Sequence, residues 1–232
     1  MNNVLTKKPI PIFIIAYNNL TFVRNFVEQI SKLTDHIVIV DNKSTYPQMF
    51  HFYDFLEREM NGKVIVHRLN QNYGAQVYKL RPDLFPDVFV ISDPDLLLNE
   101  KMPVNCCAEL LAISNIFQVH KVGLALDISK REKFIQGSYG ELVYGIESNY
   151  WKNRIPSTSH VMYEAPIDTT FTIVNKNYAD DGTHIRVAGD FTCEHLPWYE
   201  GYLKDNIAPI ELSYWKQNNN SSSILNFHDP SK

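Results

Sequence analysis

Four short, nearly uninterrupted apolar runs, each closing on a polar cluster, constrain this chain more than any other feature. They span residues 10–17 (IPIFIIAY), 36–40 (HIVIV), 63–67 (KVIVH) and 88–91 (VFVI). Each is too short for a buried helix and too continuous for a strand with one wet face, so each fits a strand covered on both sides within a parallel sheet. Between the runs the period changes. Phe22, Phe26, Val27, Ile30 and Leu33 recur at helical spacing after Asn18 and Asn19. Aromatic residues do the same over 46–60, with Pro47 at the start and Gly62 just past the end. Strand alternating with helix predicts a three-layer α/β/α sandwich around a mostly parallel sheet.

The second half is less regular. A helix is expected over 103–119 and strands over 123–127, 171–174 and 185–187, with no linker between the halves. A length of 232 residues suits one domain, expected over 1–216 with halves 1–100 and 101–216. QNNNSSS at 217–223 is the only low-complexity stretch, a flexible connection to a tail over 224–232. A formal charge of −4 offers no general field for nucleic acid, so no nucleic-acid partner is expected and an anionic ligand needs local donors or a metal. No apolar run is long enough to span a bilayer and no signal-like segment precedes Pro9, so a cytoplasmic protein without a transmembrane segment is expected, contact with a membrane surface being left open. Three Cys without a C-x-x-C pair read as small buried hydrophobes.

In an open α/β sheet ligands lie beyond the carboxyl ends of the strands. Those ends carry Ala16-Tyr17-Asn18, Asp41-Asn42, residues 70–74 and Asp93-Pro94-Asp95. Side chains two apart on extended chain project to one side, so Asp93 and Asp95 can face one cation while Pro94 stiffens the backbone between them. Two close carboxylates repel unless neutralised, and a divalent ion with oxygen ligands does this while leaving positions for diphosphate oxygens. With 14 Asp in the chain, about 0.8 D-x-D matches arise by chance. Its place directly after a buried-type strand gives the match its weight.

IPIFIIAYNN, HIVIVDNKST, LNQNYGAQ and VFVISDPDLLL, in this order, resemble the N-terminal half of GT-A-fold, nucleotide-sugar-dependent glycosyltransferases of the large inverting family that makes polysaccharides and lipopolysaccharides. The resemblance covers residues 9–100. It implies a donor half over 1–100, an acceptor half over 101–216, a UDP- or GDP-sugar donor, Mn2+ or Mg2+, and a glycan or glycolipid acceptor. Ala16, Tyr17 and Asn18 would border the nucleotide, Asp41 would bind base or ribose, Asn72 and Gly74 would flank it, and Asp93 and Asp95 would form the D-x-D. Asp41 is also placed for a turn in DNKST and Gly74 for a plain turn. Lys79 and Arg81 could reach phosphate, with solvated surface the simpler reading.

The second half lacks the paired acidic motif that usually supplies the acceptor-side base. Its candidates are Glu164, Asp168, Asp190 and Glu194, with Asp168 favoured because it precedes the strand-like TTFTIV among small polar residues. His195-Leu196-Pro197-Trp198 is similar to a Pro-Trp-ending motif of some retaining GT-A enzymes whose His completes the metal shell, without the intervening Gly and Lys. Imidazole suits manganese better than magnesium; His228 is the rival ligand. Asp127 ends the strand over 123–127, and Trp198, Tyr199 and Trp215 could stack on a sugar or pack in the core. Inversion and retention both stay open. A sugar-1-phosphate nucleotidyltransferase is the nearest rival but needs a Gly-rich basic loop after the first strand, which AYNNLTF does not offer. A non-catalytic nucleotide- or glycan-binding protein is the other alternative.

Overall fold

The computed structural model describes residues 9–157 and 159–217. The expected tail and His228 lie outside the described residues. The chain runs β1 (Ile12–Ala16), α1 (Leu20–Ile30), β2 (Ile37–Asp41), α2 (Pro47–Glu59), β3 (Val64–Arg68), α3 (Val77–Leu80), β4 (Val88–Ser92), β5 (Leu96–Leu98) and α4 (Cys106–Phe117). It continues through β6 (Lys121–Leu126), α5 (Ser138–Asn149), β7 (Arg154–Ile155), β8 (Met162–Glu164), β9 (Thr172–Asn175), β10 (His184–His195), α6 (Tyr202–Asn206) and α7 (Pro209–Lys216).

Among the described residues ten strands join one sheet in the order β3-β2-β1-β4-β9-β6-β10-β8-β7, with β5 paired to β10. β1 to β4 run parallel, β9 lies antiparallel between β4 and β6, and β10 is parallel to β6. Counting β7, seven strands share one direction against β5, β8 and β9, so the sheet is mostly parallel, as the apolar runs predict.

Alternation along β1 divides the core. Ile12, Ile14 and Ala16 face the cluster built with Val23, Phe26 and Ile30 of α1, Met49 and Tyr53 of α2, and Leu110 of α4. Phe13 and Ile15 face the other side, with Val77, Tyr78, Phe85 and Phe89. Helices therefore cover both faces, and burying one Phe or Ile contributes about 1.5–3 kcal/mol. The three cysteines are buried and free, as expected of small core residues.

Two expectations change. The strand expected over 185–187 is the first part of the twelve-residue β10, whose pairing with β6 jumps from Val187↔Leu124 to Thr192↔Ala125. Gly189 at φ +74° makes that bulge, and the polar Gly-Asp step hides the second half of the strand from a pattern reading. Asn19 stands at the start of α1 but gives it no side-chain cap. Glu211 of α7 does so from across the chain: Thr21 N–H donates to Oε1 and the Thr21 hydroxyl to Oε2, both at 2.7 Å.

Candidate active site

β4 ends at Ser92, and the chain bends at Pro94 before re-entering the sheet as β5. β5 pairs antiparallel with the end of β10, His195 opposite Leu96, and the Leu196 amide donates to the Asp95 carbonyl at 2.9 Å. This short ladder brings His195 to the aspartates. His195 Nε2 lies 3.4 Å from Asp95 Oδ2. The His195 ring is held against Trp198, centroids 4.5 Å apart, and Trp198 in turn against Phe134.

Asp93 is clasped from the other side by Thr169. The Asp93 amide donates to the Thr169 carbonyl at 2.8 Å, and the Thr169 hydroxyl donates to Asp93 Oδ2. Burial, and then the charge of Asp95, push the Asp93 carboxyl up to about 7; Asp168 adds to this, while the Thr169 hydrogen bond and His195 oppose it. Burial lowers the affinity of His195 for its proton, but Asp95, Asp93 and Glu147 together more than offset this, so its net shift is upward.

Two buried side-chain atoms in this corner lack a partner: Asp95 Oδ1 and His195 Nδ1. Unsatisfied buried acceptors beside a second carboxylate are what a bound cation relieves, so the residues fit a divalent ion. Among the described residues no group of three or more His, Cys, Asp or Glu is arranged to hold a metal ion. His195 is set against Asp95 itself.

Of the base candidates, Asp168 is exposed and close enough to Asp93 for its charge to act there. Glu194 is paired with Lys130, Glu164 is exposed on β8, and Asp190 is exposed on the bulge of β10. Asp127 follows β6, its amide donating to the Cys193 carbonyl at 2.8 Å and its Oδ1 accepting from the Ser129 amide at 2.8 Å. Trp215 is 4% exposed and packs edge-on against Phe22, so it belongs to the core. Tyr199 packs edge-on against Phe134.

The proposed nucleotide corner is tightly bonded within the chain. Ala16 is fully buried. Asp41 Oδ1 accepts from the Ser44 amide at 2.7 Å and Oδ2 from the Tyr53 hydroxyl at 2.6 Å. Asn18, at φ +52°, accepts from the Thr45 and Tyr46 amides at 2.7 and 2.9 Å and donates to the Tyr214 carbonyl at 3.0 Å. The Tyr17 hydroxyl donates to the Gln217 carbonyl. Asn72 Oδ1 accepts from the Gly74 amide at 2.8 Å, and Gly74 sits at φ +55°, a left-handed conformation that glycine favours. Lys79 pairs with Asp180 and Arg81 with Asp83.

The sequence reading missed Thr169, Lys121, Arg186 and Glu147. The last two form a buried ion pair at 2.7 Å, and Glu147 lies within electrostatic reach of His195. The available signal was a cation at the head of an otherwise apolar strand, Lys121, and one inside an apolar run, Arg186.

No family model matches the chain, and no curated protein matches it in sequence. Solved structures do match in shape. A mannosyltransferase from Pyrobaculum calidifontis, in complex with GDP-Man and Mn2+, is 14% identical with a TM-score of 0.54 over 86% of this chain and 60% of its own. GalNAc-T7 with UDP, GalNAc and Mn2+ is 13% identical with a TM-score of 0.58 over 84% of this chain and 46% of its own. The likeness is one of fold: the chain has the GT-A architecture, and it spans roughly half the length of these structures. Among the described residues no helix is long and apolar enough to cross a membrane.

Proposed function

We propose that this GT-A-fold chain transfers a sugar from a nucleoside diphosphate to a hydroxyl of a glycan or glycolipid. The observation that carries the reading is the pair of orphaned buried atoms, Asp95 Oδ1 and His195 Nδ1, beside Asp93 at the carboxyl end of β4. Support comes also from the two structural neighbours, which hold a nucleotide or nucleotide sugar together with Mn2+. A divalent ion on Asp93 and Asp95, manganese better than magnesium if imidazole joins, would neutralise charge developing on the departing diphosphate.

The residues divide the remaining work. Thr169 fixes the Asp93 carboxylate through its hydroxyl, and His195 orients that of Asp95. An acceptor hydroxyl is a poor nucleophile, and in this reading the Asp168 carboxylate, which is exposed, takes its proton. Tyr17 borders the donor, Asn72 and Gly74 flank it, and the buried Ala16, Asn18 and Asp41 hold that corner in shape from behind. The loop after β1 has neither Gly nor Lys, and Asn18 braces its backbone, which speaks against a nucleotidyltransferase that cradles a triphosphate there.

The test is a panel of UDP- and GDP-sugars followed by thermal melts with and without Mn2+. A ligand at a hundred times its dissociation constant adds about 2.7 kcal/mol to stability. The expected result is a melting shift with one donor that needs Mn2+, vanishes in Asp95→Ala, and is accompanied by slow release of free sugar. A Mn2+-dependent shift without sugar release points to a binding protein; no shift with any donor refutes the reading.

A further inference from the structure

The loop between β8 and β9 is held by its carbonyls. Four in succession accept hydrogen bonds from elsewhere in the fold: Pro166 from Arg186 Nε at 2.8 Å, Ile167 and Asp168 from Lys121 Nζ at 3.1 and 3.2 Å, and Thr169 from the Asp93 amide at 2.8 Å. The Ile167 amide is engaged as well, donating to His184 Nδ1 at 3.3 Å. With the backbone so anchored, the Thr169 hydroxyl reaches Asp93 and the charge of Asp168 acts on it.

Lys121 is the unusual member of this set. It opens β6, is 4% exposed, and among the described residues makes no ion pair. Its partners are the two carbonyls and the face of Tyr78, 5.2 Å from Nζ to the ring centroid. Arg186, by contrast, has a carboxylate partner in Glu147. A cation withdrawn from water with no carboxylate partner, two carbonyl dipoles and a π face on it and His184 within electrostatic reach is costlier than a methionine of similar length. What an apolar residue could not do there is hold two successive carbonyls by one group.

We propose that Lys121 is a positioning residue: by gripping the Ile167 and Asp168 carbonyls it sets the Asp168 carboxylate where it serves as the base. Its catalytic consequence rests on the transferase reading above; the anchoring itself does not, and the experiment separates the two. The full chain is compared with Lys121→Met by hydrogen exchange, by Mn2+ titration, and by cleavage of the donor found in the panel. Faster exchange confined to residues 165–171 is expected, with Mn2+ affinity within about threefold of wild type and donor turnover reduced about tenfold or more at unchanged KM.

Lys121→Arg restores most of the turnover, and the Lys121→Met/Asp168→Asn double variant loses no more than Asp168→Asn alone, since both remove one interaction. Unchanged exchange over 165–171 overturns the anchoring, whether or not the wild type turns over any donor. Losses that multiply in the double variant, or turnover untouched by Lys121→Met, overturn the positioning role. An inert wild type refutes the transferase reading while exchange still decides the anchoring. Should Lys121→Met not fold, Lys121→Gln, with an uncharged amide on a shorter stem that cannot span both carbonyls, carries the same comparisons.

Discussion

Asp93 keeps its proton to about pH 7 in the folded chain, whereas in the unfolded chain it gives it up in the ordinary carboxylate range near 3.8. Between those values the native state binds more protons than the unfolded one, so this group makes stability fall as pH rises through that window, with the full penalty present above it. Asp93→Asn, free of divalent ions, is therefore expected to be more stable than wild type by about 1–3 kcal/mol near pH 8, and nearly equal to it near pH 4. Urea titrations at both pH values check this. A variant less stable at the higher pH would show that Asp93 is held by its hydrogen bonds and not strained by its burial. Mn2+ should narrow the gap by stabilising the wild type alone. At this scale the candidate site was partly legible: Asp93, Asp95 and His195 are residue types with recognisable chemistry, and the structure sets them side by side. Thr169 was not legible, because a threonine in IDTTFTIV carries no signal until the chain returns to Asp93.

The parallel half of the sheet could be read because each strand is buried on both faces, which writes a continuous apolar run into the sequence. β5, β7 and β8 are two or three residues long and carry no period to detect. α5 escaped for another reason: glycines at 140 and 145 and polar residues interrupt it. Gly140 is required by its surroundings, since a Cβ there would lie 1.8 Å from the Ile135 carbonyl oxygen, a backbone atom that cannot turn aside. Gly140→Ala should cost about 2 kcal/mol or more, measured by urea unfolding; a neutral result would mean that the start of α5 moves freely. The cap on α1 gives the complementary case. Glu211→Gln keeps the size but loses the charge facing the helix N-terminus, and should cost about 1 kcal/mol in the same assay. The loss should disappear when Thr21→Ala is already present, apart from the Thr21 amide's share.

One sheet crosses both halves of the chain, and β9, from the second half, lies between β4 and β6. Neither half closes its hydrogen bonding without the other, so circular dichroism and tryptophan fluorescence should report a single coincident unfolding transition. Two separated transitions would mean that the first hundred residues fold as an independent unit. The sequence alone determined the α/β layering, the parallel half-sheet and the place of Asp93-Pro94-Asp95 just past a strand end, because burial on both faces and local spacing are properties of neighbouring residues. Only the tertiary structure decided that β10 carries His195 to Asp95, that Glu211 caps α1, and that Lys121 and Arg186 hold the 166–169 loop. Those pairings join residues far apart in the chain through single hydrogen bonds and short ladders, and such contacts leave no periodicity for a reader of the sequence to find.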